Sequence, residues 1–158
     1  EALVISDHVV VLNQGVIEQE GEPTEVYIRP RNRFTAEFLG RTNLLPLDAR
    51  SSEAARGMAA AASGARFTSL DCSRIKPEAQ QFIAFRPENV AVAEAPTGDA
   101  NCFQVKVISS QFLGPTTQLV VDLNGVAVLV MLPSNQPRRP GEAVYLKIDP
   151  CNVLMLDA

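Results

Sequence analysis

Four apolar residues stand in a row at Val9-Val10-Val11-Leu12, and Asn13-Gln14-Gly15 separates them from the loosely alternating Val16-Ile17-Glu18-Gln19-Glu20. Two short β-prone runs about a glycine-containing turn predict a hairpin. Gly21 to Glu25 interrupts it. There Pro23 presets φ for a first helical turn and Glu25 suits the positive end of a helix, so a short helix is expected through Tyr27. Pro30 cannot continue that helix. Asn32 is a good N-cap for a second one, in which Phe34 and Phe38 fall four apart on one face. The pattern predicts docking through those two rings and a left-handed stop at Gly40.

Asn43 to Leu47 reads as the first strand of a different pattern. Ser51 to Ala65 follows, rich in Ala, Ser and Gly with almost no bulky apolar residue. It is expected to be a mobile insertion with no core of its own, carrying at most a frayed helical turn at Glu53 to Ala62. Strand signals then recur at short spacing: 66–72, 81–86, 89–93, 102–112, 116–123, 126–132, 143–148 and 152–156. Short strands in such number predict a mainly β sandwich or barrel. Asn124-Gly125 marks a tight hairpin, Gly114-Pro115 a break after Phe112, and Pro140-Gly141 another turn.

With 158 residues, 46% hydrophobic and 20% charged, the chain has enough apolar material for a core and is not of disordered composition. A pI near 5.0 and a net charge of −4 argue against nonspecific binding to nucleic acid or anionic membrane, which needs a basic surface. The longest apolar run, Val126 to Leu132, has strand length and falls short of the roughly 18 to 20 residues of a membrane span. Residue 1 is Glu, with no charged and apolar leader after it, so a start in mid-protein without a signal peptide is expected. Cys72, Cys102 and Cys151 are odd in number and far apart, which fits free thiols in a reducing cytosol.

Little in the chain points to bond-making chemistry, and no catalytic, cofactor-binding or metal-binding residue is assigned. No glycine pair spaced for a phosphate loop precedes a Lys, and no G-x-G-x-x-G occurs. Gln118 to Asp122 imitates a magnesium-holding strand, but Leu123 follows where a catalytic Glu would stand, and Asn124-Gly125 turns the chain back. His8 is the only histidine, placed ahead of Val9 without local support for acid–base work. Arg29, Arg31, Arg33 and Arg41 could form an anion patch or be solvated charges at helix ends. In Arg86-Pro87-Glu88-Asn89, a pre-proline Arg is held extended and offers a planar, two-pronged donor. Arg86 could contact an oxyanion or a neighbouring domain, or pair structurally with Glu88 or another local acid.

The ordered string from Glu1 to Asp7, Val9 to Gln19, Gly21, Pro23 and Glu25, then Arg29 to Gly40, resembles the end of the ATPase subunit of an ABC importer. Residues from about Thr42 onward resemble the transport-associated OB (TOBE-type) domain, on Asn43-Leu44-Leu45, Phe85 to Val90, Phe112-Leu113-Gly114, Pro140 to Val144 and Ile148-Asp149-Pro150. The resemblance implies a mainly β, OB-like barrel or sandwich at 42–158, with the flexible insertion at about 51–65, preceded at 1–41 by a short α/β tail of a nucleotide-binding domain. It implies a non-catalytic regulatory and dimerising region, with ATP and magnesium bound upstream and none in this part. The implied partners are a second copy and transmembrane permease subunits, at the cytoplasmic face of the membrane, for uptake of iron(III), polyamine or sugar. A small regulatory ligand is a further candidate partner. The alternative is a molybdate- or sulfate-type sensor or store that binds the oxyanion at an interface, in which Arg86 and backbone N–H groups near Gly114 or Gly141 are the donors. The candidate ligand or interdomain contacts are therefore Arg86, Glu88, Gly114 and Gly141.

Overall fold

Gln14 and Gly15 both take positive φ, 49° and 84°, and reverse the chain between β1 (Val9–Asn13) and β2 (Val16–Gly21). A two-residue turn of this kind matches the twist of paired strands. The computed structural model describes residues 2–158, beginning with a short helix α1 (Ala2–Ile5). Pro23 opens α2 (Pro23–Ile28), and Asn32 caps α3 (Arg33–Leu39) by accepting a hydrogen bond from the Thr35 N–H at 2.9 Å.

Two expectations about α3 are corrected. Gly40 is extended, with φ 166°, and is not a left-handed stop. Nor do the phenylalanines dock the helix: Phe38 is 65% exposed and stacks on half-buried Phe34 with ring centroids 5.8 Å apart. Thr35 and Ala36 are the fully buried residues of α3, and Ala36 packs with Ala84 and Leu156 of the strands below. A methyl side chain brings the helix backbone close to the strands, where two rings would hold it off.

The β region contains a three-stranded sheet in the order β12 (Leu154–Asp157), β6 (Gln81–Phe85), β3 (Asn43–Pro46). A five-stranded sheet runs β10 (Val126–Pro133), β9 (Thr116–Leu123), β8 (Cys102–Phe112), β11 (Ala143–Ile148), β7 (Val90–Ala93). Every pair within both is antiparallel, and the larger sheet curls over one shared core that includes Leu45, Phe67, Ile83, Leu119, Leu146 and Met155. Thr117, Leu119, Val121 and Leu123 alternate inward along β9, the period expected of a sheet with one buried face.

Side-chain amides join the layers. Asn43 donates from Nδ2 to the Leu129 carbonyl and accepts at Oδ1 from the Leu129 N–H, both at 2.8 Å, so it pairs with β10 as a strand would. Asn101 accepts from the Thr68 N–H at 2.6 Å and donates to the Thr68 carbonyl at 2.7 Å and the Ile148 carbonyl at 3.1 Å.

The alanine-rich stretch is the clearest departure from expectation. It forms a 3-10 turn at Ala54–Arg56 and a hairpin of β4 (Met58–Ala60) with β5 (Arg66–Thr68). Ala59, Ala61 and Ala65 belong to the main core, and Ala59 pairs directly across from buried Phe67. Small side chains there allow close packing, a role that bulk hydrophobicity does not reveal. Ala59→Leu is expected to destabilise the fold by about 1–3 kcal/mol through overpacking. Urea unfolding checks this, and an unchanged midpoint would mean that the hairpin has room to spare.

Candidate functional site

Arg86 leaves the end of β6 in an extended conformation, φ −77° and ψ 143°, as a residue before proline must, and Pro87–Asn89 then turns the chain. Its side chain points back toward residues 27–42 and is only 7% exposed as a residue. Nη1 donates to the carbonyls of Ala36 and Gly40 at 2.9 Å and of Arg41 at 3.2 Å, and to the Thr42 hydroxyl at 2.6 Å. Nη2 donates to the Tyr27 carbonyl at 3.3 Å, and the guanidinium carbon lies 4.2 Å from the centroid of the Tyr27 ring.

The last carbonyls of a helix lack intrahelical partners and carry the negative end of its dipole. Arg86 supplies both donors and positive charge at the end of α3. This explains the extended Gly40: the cap comes from the β region, so no left-handed residue is needed. Built onto Gly40, a Cβ would lie 3.4 Å from Arg86 Nη1 and 3.5 Å from Tyr27 Cε2, so the glycine leaves the arginine and the ring their place.

The structural Arg86–Glu88 ion pair considered from sequence does not form: Arg86 has no carboxylate within ion-pair distance among the described residues. Glu88 instead accepts the Tyr27 hydroxyl at 2.5 Å. Burial pushes the Arg86 guanidinium down from its ordinary value, opposed by the nearby Tyr27 and Glu88, and the group stays cationic. Burial, then the hydrogen bond to Glu88, raises the Tyr27 phenol above its ordinary value of 10.0. A raised folded-state value gives stability that is complete below about pH 10 and lost as pH rises past it. The wild-type chain should therefore lose more stability above that pH than Tyr27→Phe does, which denaturant titrations at stepped pH would show; parallel losses would contradict it.

Other contacts cross the same junction. Arg74 donates to the Arg31 carbonyl at 3.0 Å, Asn32 bridges to Asp157, and the Arg33 guanidinium lies 5.2 Å over the Phe82 ring. Gln19 holds the α2–α3 linker by donating to the Arg29 carbonyl at 3.0 Å and accepting from the Arg31 N–H at 2.8 Å. Two arginines of the suggested anion patch have other partners: Arg33 pairs with Glu37, and Arg41 donates to Gln118. Tyr27, Thr42, Arg74 and Gln19 carried no signal in the sequence that set them apart.

A cleft of about 520 Å³ opens along this junction, with Pro23, Tyr27 and Ile28 on one side and Phe85, Glu88 and Leu154 on the other. Arg86 and Glu88 line it; Gly114 and Gly141 do not. Gly114, with φ 86°, closes the β8–β9 turn, and Gly141, with φ 90°, donates its N–H to the Val107 carbonyl at 2.8 Å. Within one copy the Arg86 Nη groups and the Gly141 N–H are already bonded to the protein. Asp122 caps its own hairpin by accepting from the Gly125 N–H at 2.9 Å, and His8 lies exposed, 3.7 Å from Glu20.

Residues 83–156 match the model of the TOBE domain family. Over 99% of its length the chain is 33% identical to the spermidine/putrescine import ATP-binding protein PotA of Rubrobacter xylanophilus, covering 42% of that protein. Over 94% it is 36% identical to the sulfate/thiosulfate import ATP-binding protein CysA 2 of Chromobacterium violaceum, covering 40% of it. The chain therefore spans about two fifths of the length of these relatives. The cytoplasmic molybdate-binding protein ModG, solved with molybdate bound, matches 73% of this chain and 96% of its own at a TM-score of 0.60 and 13% identity, a likeness of fold.

Proposed function

We propose, for a chain that carries a TOBE domain and is homologous to the C-terminal part of ABC-importer ATP-binding subunits, that it is the region through which such a subunit couples ATP hydrolysis to solute uptake. Residues 1–41 are the end of the nucleotide-binding domain, and residues 42–158 a regulatory module that pairs with its copy in a dimer of subunits. ATP and magnesium bind upstream, and permease subunits hold the assembly at the cytoplasmic face of the membrane. Of iron(III), polyamine and sugar, the likeness to PotA, a spermidine/putrescine import protein, favours a polyamine.

The observation that carries this reading is the Arg86 junction. A buried guanidinium bonded to four backbone carbonyls between Tyr27 and Arg41 ties the end of α3 to the β region. A tilt of the upstream domain would move both parts together, as rigid-body switching requires. The test uses the full-length subunit with its permease in vesicles. Tyr27→Phe combined with Glu88→Ala, which loosens the junction away from any nucleotide site, should leave solute-independent hydrolysis in place and reduce solute-dependent hydrolysis and uptake several-fold. Unchanged coupling in that variant would refute the reading.

A further inference from the structure

Between residues 108 and 112, β8 has a neighbouring strand on one side only. Its pairing with β11 ends at Lys106, and the last bonds on that side are Val107 N–H to the Glu142 carbonyl and Gly141 N–H to the Val107 carbonyl. On the other side it stays paired with β9 as far as Phe112. The register shifts between Val107 and Ser109, a bulge that bends a strand away from its former course.

Three other sheet edges carry cover. Asn43 occupies the edge of β10 at Leu129, Asn32 bridges to Asp157 on β12, and the Ala62 N–H donates to the Pro46 carbonyl on β3. Among the described residues nothing covers 108–112, and apart from the bulge that precedes it the edge has no guard, neither a Lys nor a Pro. Phe112 is 72% exposed, and Ile108 and Leu113 are exposed as well. No charged residue occurs from Val107 through Val121. A partner selected by charge finds nothing to read on such an edge, whereas an identical copy meets it without like-charge repulsion, in a chain whose net charge is −4.

We propose that residues 108–112 of β8 pair antiparallel with the same residues of a second copy, with Ser110 on the two-fold axis, joining two five-stranded sheets into one. Pairing about Ser110 sets Ser109 opposite Gln111 of the other copy and brings Ile108 beside its Phe112, an aromatic against a β-branched side chain. Five residues of edge bury far less than the roughly 800 Å² per partner of a stable interface. The contact therefore forms when the remainder of the assembly holds two subunits together and raises their effective concentration to about the millimolar range. This rests on the reading of the chain as part of a paired subunit.

The full-length protein, with Cys72, Cys102 and Cys151 replaced, would carry Ser110→Cys in one variant and Ala127→Cys, on the exposed face of β10, in another. Directly opposed residues in antiparallel strands stand about 4.5–5.5 Å apart at Cα, within disulfide reach. Mild oxidation should link Ser110→Cys into a dimer and leave Ala127→Cys unlinked. Adding Phe112→Glu, which replaces the ring beside Ile108 of the other copy by a carboxylate that would lose water there, should cut the linked fraction at least tenfold while circular dichroism stays unchanged. A dimer by light scattering that Ser110→Cys does not link would overturn this edge and leave self-pairing standing. A monomer at every concentration, with and without nucleotide, would overturn both.

Discussion

Replacing Arg86 by alanine is expected to lower the unfolding free energy by about 3–5 kcal/mol, the range in which a buried, multiply bonded polar network fails. The substitution removes the Arg86 donors from the Ala36, Gly40, Arg41 and Tyr27 carbonyls together, and leaves the single Thr42 hydroxyl, at 3.2 Å and 3.3 Å, to serve Ala36 or Gly40. Each buried acceptor left without a partner costs about 1–3 kcal/mol where water cannot replace the donor. The end of α3 also loses its cap and the Tyr27 ring its cation. For a chain of this length the midpoint should fall by roughly 10 °C, at about 2–4 °C per kcal/mol. Arg86→Lys should recover only part of the loss. An ammonium keeps the charge but has neither the planar fork nor the reach to bond α3 and the Tyr27 carbonyl at once. Chemical denaturation and calorimetry of the three chains give the comparison. A loss below about 1 kcal/mol for Arg86→Ala would mean that water serves those carbonyls and the junction is held elsewhere.

What was legible in the chain follows from the range over which each signal acts. The hairpins could be read because their causes are local: Asn124 and Gly125 adopt φ 51° and 82°, and the strands on either side alternate into the core. The strands at 102–112, 116–123 and 143–148 stand at the bounds their apolar runs predict. Packing that depends on small size was hidden. Ala36 and Ala59 are both fully buried, yet neither adds to an apolar stripe. The stop of α3 was misread because its cap comes from a residue 46 positions away from Gly40.

The candidate site divides in the same way. Arg86 and Glu88 were singled out by a local constraint, the proline between them, and the structure sets both on the junction cleft. Gly114 and Gly141 were singled out by turn chemistry, which accounts for their positive φ without a ligand. Tyr27 and Thr42 meet Arg86 through tertiary contacts alone, so nothing in their own neighbourhoods marked them. The same limit applies to polar strand residues whose partners lie in another sheet.

Asn43 is the residue for which this matters most to stability. It is buried at the start of β3, and its amide is the group that closes the three-stranded sheet against β10 at Leu129. Asn43→Ala should destabilise by about 2–4 kcal/mol, because two hydrogen bonds go and the Leu129 N–H and carbonyl are left without partners. Asn43→Asp separates bonding from packing. It keeps the acceptor for the Leu129 N–H, but an ionised carboxylate then faces the Leu129 carbonyl, which it can only repel. Burial and that repulsion disfavour the charged form, so the introduced carboxyl has a folded-state pKa raised above its unfolded value near 3.9. The sign follows: the deficit relative to wild type is full above the raised value and shrinks as pH falls through it, because the protonated acid can donate where the amide did. Denaturant titrations of wild type and both variants, from about pH 7 to about pH 4, should show Asn43→Asp converging on wild type while Asn43→Ala stays at a constant offset. If the two variants run parallel across that range, donation to Leu129 does not close the barrel, and the side chain at this position matters for its volume alone.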